Sequence, residues 1–253
     1  MKYVIRALFL VLGLGAAVGL GSCVGRLDAQ EVQPTPSEML PSPSRTLPKE
    51  NIMTKTPAPP PPWSASPPFA SHDFGKPLPF SSNDGLEYAV LAGGCFWCLE
   101  AVYENIPGVV DVVSGYIGGS APRPTYEYVS MGASGHAEAV RIAYNPAVVS
   151  YDELLKYFWK IHNPTTKDRQ GADVGSQYRS AIYYTSEGQR TAALASIEKQ
   201  KPWWPAPIVT ELEPAGDFWI AEEYHQDFYR RNPNYGYCAV VIAPKLKKAG
   251  FGD

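Results

Sequence analysis

Gly94-Cys95-Phe96-Trp97-Cys98 sets two thiols three residues apart with two aromatic rings between them. The preceding apolar run 87–92 predicts a buried strand, Gly93-Gly94 breaks it, and apolar residues at helical spacing over 96–105 predict a helix. Cys95 therefore falls at a strand-to-helix junction, where unpaired amides and the helix dipole favour a thiolate. That makes Cys95 the candidate nucleophile, with Phe96 and Trp97 as an apolar wall for a small methyl-bearing substrate. Zinc is the rival use of two thiols, but no second Cys-x-x-Cys or paired histidine completes a tetrahedral site. Thioredoxin-like disulfide exchange uses the same spacing and stays open on these residues.

The chain has four cysteines, Cys23, Cys95, Cys98 and Cys238. With Cys23 assigned to processing, the remaining three are an odd number, which favours thiol chemistry over structural bridging.

The elements that must position this dithiol follow from periodicity. Further strands are predicted over 109–113, 136–144, 179–185 and 208–212, and helices over 151–161, 187–200 and 219–229. Mixed strands and helices place the fold in the α/β or α+β class. Gly115-Tyr116-Ile117-Gly118-Gly119 lacks the spacing of a dinucleotide cradle, so a nucleotide cofactor is not expected. Twenty-two Lys and Arg against 25 Asp and Glu give a formal charge of −3, which does not fit a nucleic-acid surface.

The 253 residues divide unevenly. Residues 1–23 carry Lys2 and Arg6, then an uncharged run of Leu, Val, Ala and Gly, the outline of a secretory signal. Leu20-Gly21-Ser22-Cys23 ends that run with small residues and a cysteine, resembling a bacterial lipobox with Cys23 as the lipidated residue. Residues 24–82 hold 14 of the 25 prolines. Few aliphatic residues accompany them, so this stretch is expected to be a disordered, extended tether. Residues 83–253 are rich enough in apolar residues for one packed catalytic domain.

Gly94-Cys95-Phe96-Trp97, Gly115-Tyr116-Ile117-Gly118-Gly119, Gly135-His136-Ala137-Glu138-Ala139-Val140 and the run Gln170 to Ser180 together resemble type A peptide methionine sulfoxide reductases, from about Tyr88 to Cys238. The resemblance implies a two-layer α/β sandwich around a mixed sheet with a coil-rich carboxy-terminal part. It implies reduction of the S epimer of methionine sulfoxide, free or in proteins, with no bound cofactor or metal and an external dithiol reductant of the thioredoxin type. By the same resemblance, Cys95 attacks sulfur and Glu138 is the acid. Tyr126 and Tyr178 bind the sulfoxide oxygen, and Asp173 orients water or the tyrosine network. Phe96 and Trp97 cage the methyl group, while Cys98 and Cys238 compete to resolve the sulfenic acid. His136 is expected to be a packed strand residue. Without the resemblance Tyr116 would be as eligible as Tyr126 or Tyr178 among 16 tyrosines.

Departures from the family pattern fall at Cys98, often glycine, at Ala172, at Phe228-Tyr229, and at Ala243-Pro244-Lys245, which stands where a glycine-rich tail is usual. The exported chain is expected to be a monomer on the periplasmic or cell surface, held to the membrane through Cys23. Substituting Cys23→Ala should abolish palmitate labelling and release the protein from the membrane fraction. Unchanged fractionation would contradict the anchor.

Overall fold

The computed structural model describes residues 76–81 and 83–252. The leader, Cys23 and most of the 24–82 tether lie outside the described residues.

The run that opens the domain forms β1 (Glu87–Gly93), and its alternation divides the protein into two layers. Ala89 and Leu91 face one apolar cluster, while Val90 and Ala92 face another. β1 pairs antiparallel with β3 (Ala137–Tyr144), which pairs antiparallel with β2 (Val109–Ile117). On the other side β1 pairs antiparallel with β6 (Ser180–Tyr184), which runs parallel to β7 (Glu211–Pro214). β8 (Trp219–Ile220) closes the far edge against β2, giving a mixed six-stranded sheet of order β7-β6-β1-β3-β2-β8. A separate two-stranded ribbon joins β4 (Arg169–Gln170) to β5 (Asp173–Val174).

Helices cover the Leu91 face. α1 (Phe96–Tyr103) follows β1, and α2 (Tyr126–Ser130) starts on Thr125, whose side chain accepts from the Tyr128 N–H. α3 (Tyr151–Ile161) starts on a capping box: Ser150 Oγ accepts from the Glu153 N–H, and the Glu153 carboxylate accepts from the Ser150 N–H at 3.0 Å. Its Leu154, Leu155, Phe158 and Trp159 are all buried on one stripe. α4 (Glu187–Gln200) is capped by Ser186. The carboxy-terminal part strings α5 (Phe228–Arg231) and shorter turns along this layer, then closes with π-helical Cys238–Ile242 running into α6 (Ala243–Ala249).

Several predicted boundaries move. Residues 219–229 are not one helix: Trp219 and Ile220 hydrogen-bond to β2, Glu223–His225 form a 3-10 turn, and only Phe228 onwards is α-helical. The break has a cause in Gln226. This fully buried side chain accepts from Ser114 N–H at 3.0 Å and donates to Ser114 and Ala221 carbonyls at 2.9 and 2.8 Å, clamping the segment extended. The strand placed at 208–212 starts later, at Glu211, because Val209 N–H donates instead to the Pro164 carbonyl at 2.8 Å. α2 and α6 carry no strong periodic signal and were not predicted.

The tether boundary also moves. Leu78 forms a bridge with Phe218, and Leu78 and Phe80 pack on the sheet face opposite the helices. The folded unit therefore begins before residue 83. Arg141 on β3 fastens this strap: its guanidinium donates twice to the Pro79 carbonyl, at 3.0 and 2.8 Å, and lies 4.0 Å over the Tyr88 ring. Replacing Arg141→Met should release residues 78–80 and lower stability by about 1.5–3 kcal/mol in chemical denaturation. An unchanged unfolding midpoint would show that the strap contributes nothing.

Candidate active site

Cys95 is the N-cap of α1. Gly94 before it has φ +98°, and a Cβ there would lie 2.6 Å from Gln170 Cγ, so the turn that delivers the cysteine needs glycine twice over. Cys98 sits one turn further, its N–H donating to the Cys95 carbonyl at 3.1 Å. The Tyr237 hydroxyl lies 3.8 Å from Cys98 Sγ and donates to Asp173 at 2.8 Å. Cys238 follows Tyr237 and is fully buried close to Cys98. All three domain cysteines are free thiols.

Glu138 comes from β3, on the face that carries α1. Its Oε2 accepts the Phe96 N–H at 3.1 Å, and the side chain is 2 % exposed. Burial pushes its carboxyl up to about 8, against the stabilising amide and with further upward pressure from Asp173 and Cys98. The carboxyl therefore keeps its proton near neutrality.

This placement corrects the expected state of Cys95. The first amide of α1 is given to Glu138, and the thiol is buried. Burial, then the Cys98 thiol and the charges of Cys98 and Glu138, hold Cys95 above the ordinary thiol range. Cys98 is moved the other way, first by its hydrogen bond from Cys95 and further by Lys245 and Tyr237.

Around these groups the structure gathers the other residues singled out from sequence. Tyr178 is half-buried and held above the ordinary phenol range by burial and by the neighbouring Glu138, Tyr126, Cys95 and Asp173. Tyr126 is likewise half-buried beside Glu138. Tyr116 separates from them because its hydroxyl already donates to Glu222 at 2.8 Å, the carboxylate that also accepts the Tyr126 N–H at 2.8 Å. His136 is buried against Gly119 as expected of a packed residue, but it lies one position before β3 and not in the strand.

The apolar wall contains more than Phe96 and Trp97. Phe228 stacks on the Trp97 indole, centroids 3.6 Å apart and planes within 5°. His225 lies 5.0 Å from Phe96 and 4.7 Å from Tyr126, and Tyr237 meets Trp97 edge-on at 6.0 Å. Sequence reasoning missed Phe228, His225, Glu222 and Tyr237, all brought in by the carboxy-terminal part. It also missed Glu100, the lone charged residue of α1, although a carboxylate in an otherwise apolar helix was a visible signal. Buried Glu100 accepts from Ser114 Oγ at 3.0 Å and from the Phe228 N–H at 3.1 Å, tying β2 and α5 to the dithiol helix.

Half-buried Trp97, Tyr126, Tyr178 and Tyr237 thus gather around a buried dithiol and a buried carboxyl. Among the described residues no cluster of His, Cys, Asp and Glu is placed to hold a metal ion. Such a site defines a thiol-dependent redox enzyme carrying its own acid.

Comparisons give the family. The model of the family "peptide methionine sulfoxide reductase" matches residues 87–250. Peptide methionine sulfoxide reductase MsrA 1 of Rhodopirellula baltica is 56 % identical over 185 residues, covering 70 % of this chain and 96 % of that protein. The MsrA of Thermus thermophilus is 52 % identical over 163 residues, covering 64 % and 93 %. Among solved structures, reduced Mxr1 from Saccharomyces cerevisiae matches with TM-score 0.59 and 34 % identity, covering 62 % of this chain and 91 % of that one. Methionine sulfoxide reductase A of Corynebacterium diphtheriae matches with TM-score 0.59 and 36 % identity, covering 63 % and 80 %. This chain belongs to the peptide methionine sulfoxide reductase family.

Gln226→Leu should leave the Ser114 N–H and the Ala221 carbonyl without their Gln226 partner, the Ser114 carbonyl keeping the Ala221 N–H at 3.0 Å, and cost about 2–5 kcal/mol. The loss should appear in denaturant melts, together with a changed near-ultraviolet signal from the Trp97 stack. Wild-type stability would contradict the role of the clamp.

Proposed function

We propose that this protein reduces the S epimer of methionine sulfoxide, free or within proteins, to methionine, and so repairs oxidised proteins. The observation that carries the reading is the buried Glu138 carboxyl, fixed by the Phe96 amide next to Cys95 among the aromatic side chains, where burial pushes its pKa up to about 8. A sulfoxide has an electrophilic sulfur and an oxygen that must be protonated before it can be removed.

Phe96 and Trp97 hold the methyl group, and Tyr126 and Tyr178 donate hydrogen bonds to the oxygen. Asp173 positions the Tyr237 hydroxyl that points at the dithiol. As the Cys95 sulfur bonds to the substrate sulfur, the oxygen takes the Glu138 proton, and the Cys95 proton returns to the Glu138 carboxylate. The oxygen then passes to Cys95 and the thioether leaves. Thiol plus sulfoxide has become sulfenic acid plus methionine, with atoms and electrons balanced. A second thiol, Cys98 or Cys238, condenses with the sulfenic acid to give a disulfide and water. A thioredoxin-type dithiol donor then returns the enzyme to its reduced state. We further read the chain as a monomeric lipoprotein exported through its leader and anchored at Cys23, with the proline-rich tether as spacer.

The alternative reading, disulfide exchange by Cys95 and Cys98, has no oxygen to protonate and gives the tyrosines and aromatic side chains around the dithiol no part to play. Assaying sulfoxide and disulfide substrates side by side separates the two, the first reading requiring turnover of sulfoxide. Glu138→Gln should lower single-turnover sulfoxide reduction by about 10²–10⁴-fold. In the wild type the acid is present below its folded pKa and lost above it, so the rate should fall as pH rises through about 8. A Glu138→Gln rate equal to wild type would remove the acid role.

A further inference from the structure

Cys98 stands where the family resemblance often has glycine, and two other elements meet at its sulfur. α1 carries Cys98, β5 carries Asp173, and Tyr237 is the residue on which the π-helical segment Cys238–Ile242 starts. The Tyr237 hydroxyl lies 3.8 Å from Cys98 Sγ and donates to Asp173 Oδ2 at 2.8 Å. A tyrosine hydroxyl has one hydrogen, and here the carboxylate takes it, so the Cys98 S–H is the donor of the longer bond. Thiol, phenol and carboxylate thus form a directed line, in the sense a departing proton would travel.

Both ends of the line are held. The Tyr237 ring meets the Trp97 indole edge-on, centroids 6.0 Å apart. Asp173 pairs with Gln170 across the ribbon, and the Gln170 side chain fills the space that Gly94 leaves open before Cys95. The Gln170 amide also exchanges two hydrogen bonds of 3.2 Å with the Asn163 backbone. Cys98 is fully buried whereas Tyr237 and Asp173 are half-buried, so the line runs from the interior towards solvent. Tyr237 has helical backbone angles, and consecutive residues on a helix do not face each other, so the hydroxyl that reaches Cys98 does not serve Cys238. Cys95, Glu138, Cys238 and Lys245 also bear on the charge of Cys98.

We propose that Tyr237 and Asp173 form a proton relay that ionises Cys98 for the recycling step, making Cys98 the thiol that closes the first disulfide onto Cys95. The proposal rests on the sulfoxide-reductase reading and chooses between its two resolving thiols. In the step, the Cys98 proton passes to the Tyr237 oxygen and the Tyr237 proton to the Asp173 carboxylate. Tyr237 then holds a hydrogen aimed at the Cys98 thiolate, the sense in which it favours ionisation of that thiol. The Cys98 sulfur donates an electron pair to the Cys95 sulfur. The sulfur–sulfur bond forms as the sulfur–oxygen bond breaks, and the leaving hydroxide takes the Glu138 proton to become water. Asp173 releases its proton to solvent, and Glu138 takes one back. Sulfenic acid plus thiol has become disulfide plus water, with the oxidising equivalents supplied by the sulfoxide. Tyr237 touches a reacting atom and is catalytic in this step, while Asp173 is a positioning residue acting through it. Cys238 is left as the thiol that can exchange with the new disulfide.

The test uses the full, reduced chain mixed with an N-acetylated methionine S-sulfoxide and no reductant. Release of the thioether, disulfide position and sulfenic acid are followed by acid quench, alkylation and mass spectrometry, with a near-ultraviolet spectrum of each variant as the check on folding. Wild type should release one thioether per chain and form Cys95–Cys98 first. Tyr237→Phe and Asp173→Asn should each close that disulfide about 10²-fold more slowly near pH 6, the low end for a lost general base, and accumulate dimedone-trapped sulfenic acid. Both deficits should shrink as pH rises, because hydroxide replaces the relay, whereas a residue that only packs would slow closure equally at every pH. Since the two act as one unit, the double variant should close no more slowly than Tyr237→Phe alone. Closure at the wild-type rate by either folded variant, additive losses in the double variant, or Cys95–Cys238 as the first wild-type disulfide would overturn the proposal while leaving the reductase reading intact. No burst of thioether in the wild type would overturn both.

Discussion

One hydrogen bond organises the site: the first amide of α1 to the carboxyl of Glu138. A helix N-terminus offers few free donors, and here the leading one serves the acid instead of the thiol at its cap. Cys95 is thereby left buried and protonated beside a protonated carboxyl. The resting pocket holds a poised neutral pair, and charge separation waits for an oxygen able to take the Glu138 proton. Such an arrangement limits reaction of Cys95 with other electrophiles, since the thiolate is the reactive form.

Keeping that geometry requires the carboxy-terminal part to fold back onto α1. Glu100 and Gln226 accomplish this with buried polar contacts to β2 and α5, each satisfied at both ends. Buried groups of this kind are costly when unpaired and restrictive when paired, so they select one register for the aromatic wall. The Phe228 ring against Trp97 is the result. Glu222 does the same for the tyrosines, engaging the Tyr116 hydroxyl and the Tyr126 backbone N–H.

Much of this was legible in the sequence because it depends on local pattern. α3 and α4 follow periodicity and caps and coincide with their predicted spans. Cys95 at the strand-to-helix junction followed from a strand, two glycines and a helix. Glu138, Tyr126, Tyr178 and Asp173 were reached only through resemblance, since their meeting depends on sheet register and on a two-stranded ribbon too short to leave a signal. Residues 219–229 misled because their helical spacing was real, but Gln226 satisfied the neighbouring backbone with its side chain and α5 began only at Phe228. The protonation of Cys95 was misjudged for a related reason: a helix start is visible in sequence, whereas the carboxyl that occupies its amide comes from 42 residues away.

The central claim is that Glu138 is protonated at neutral pH in the folded protein. Infrared difference titration of the reduced chain against Glu138→Gln isolates this carboxyl from Glu100 and Glu104, which burial also pushes up to about 8. A protonated-carboxyl band should be present at neutral pH in the wild type only and disappear with a midpoint of about 8. A spectrum showing Glu138 already ionised in the ordinary carboxylate range would contradict it.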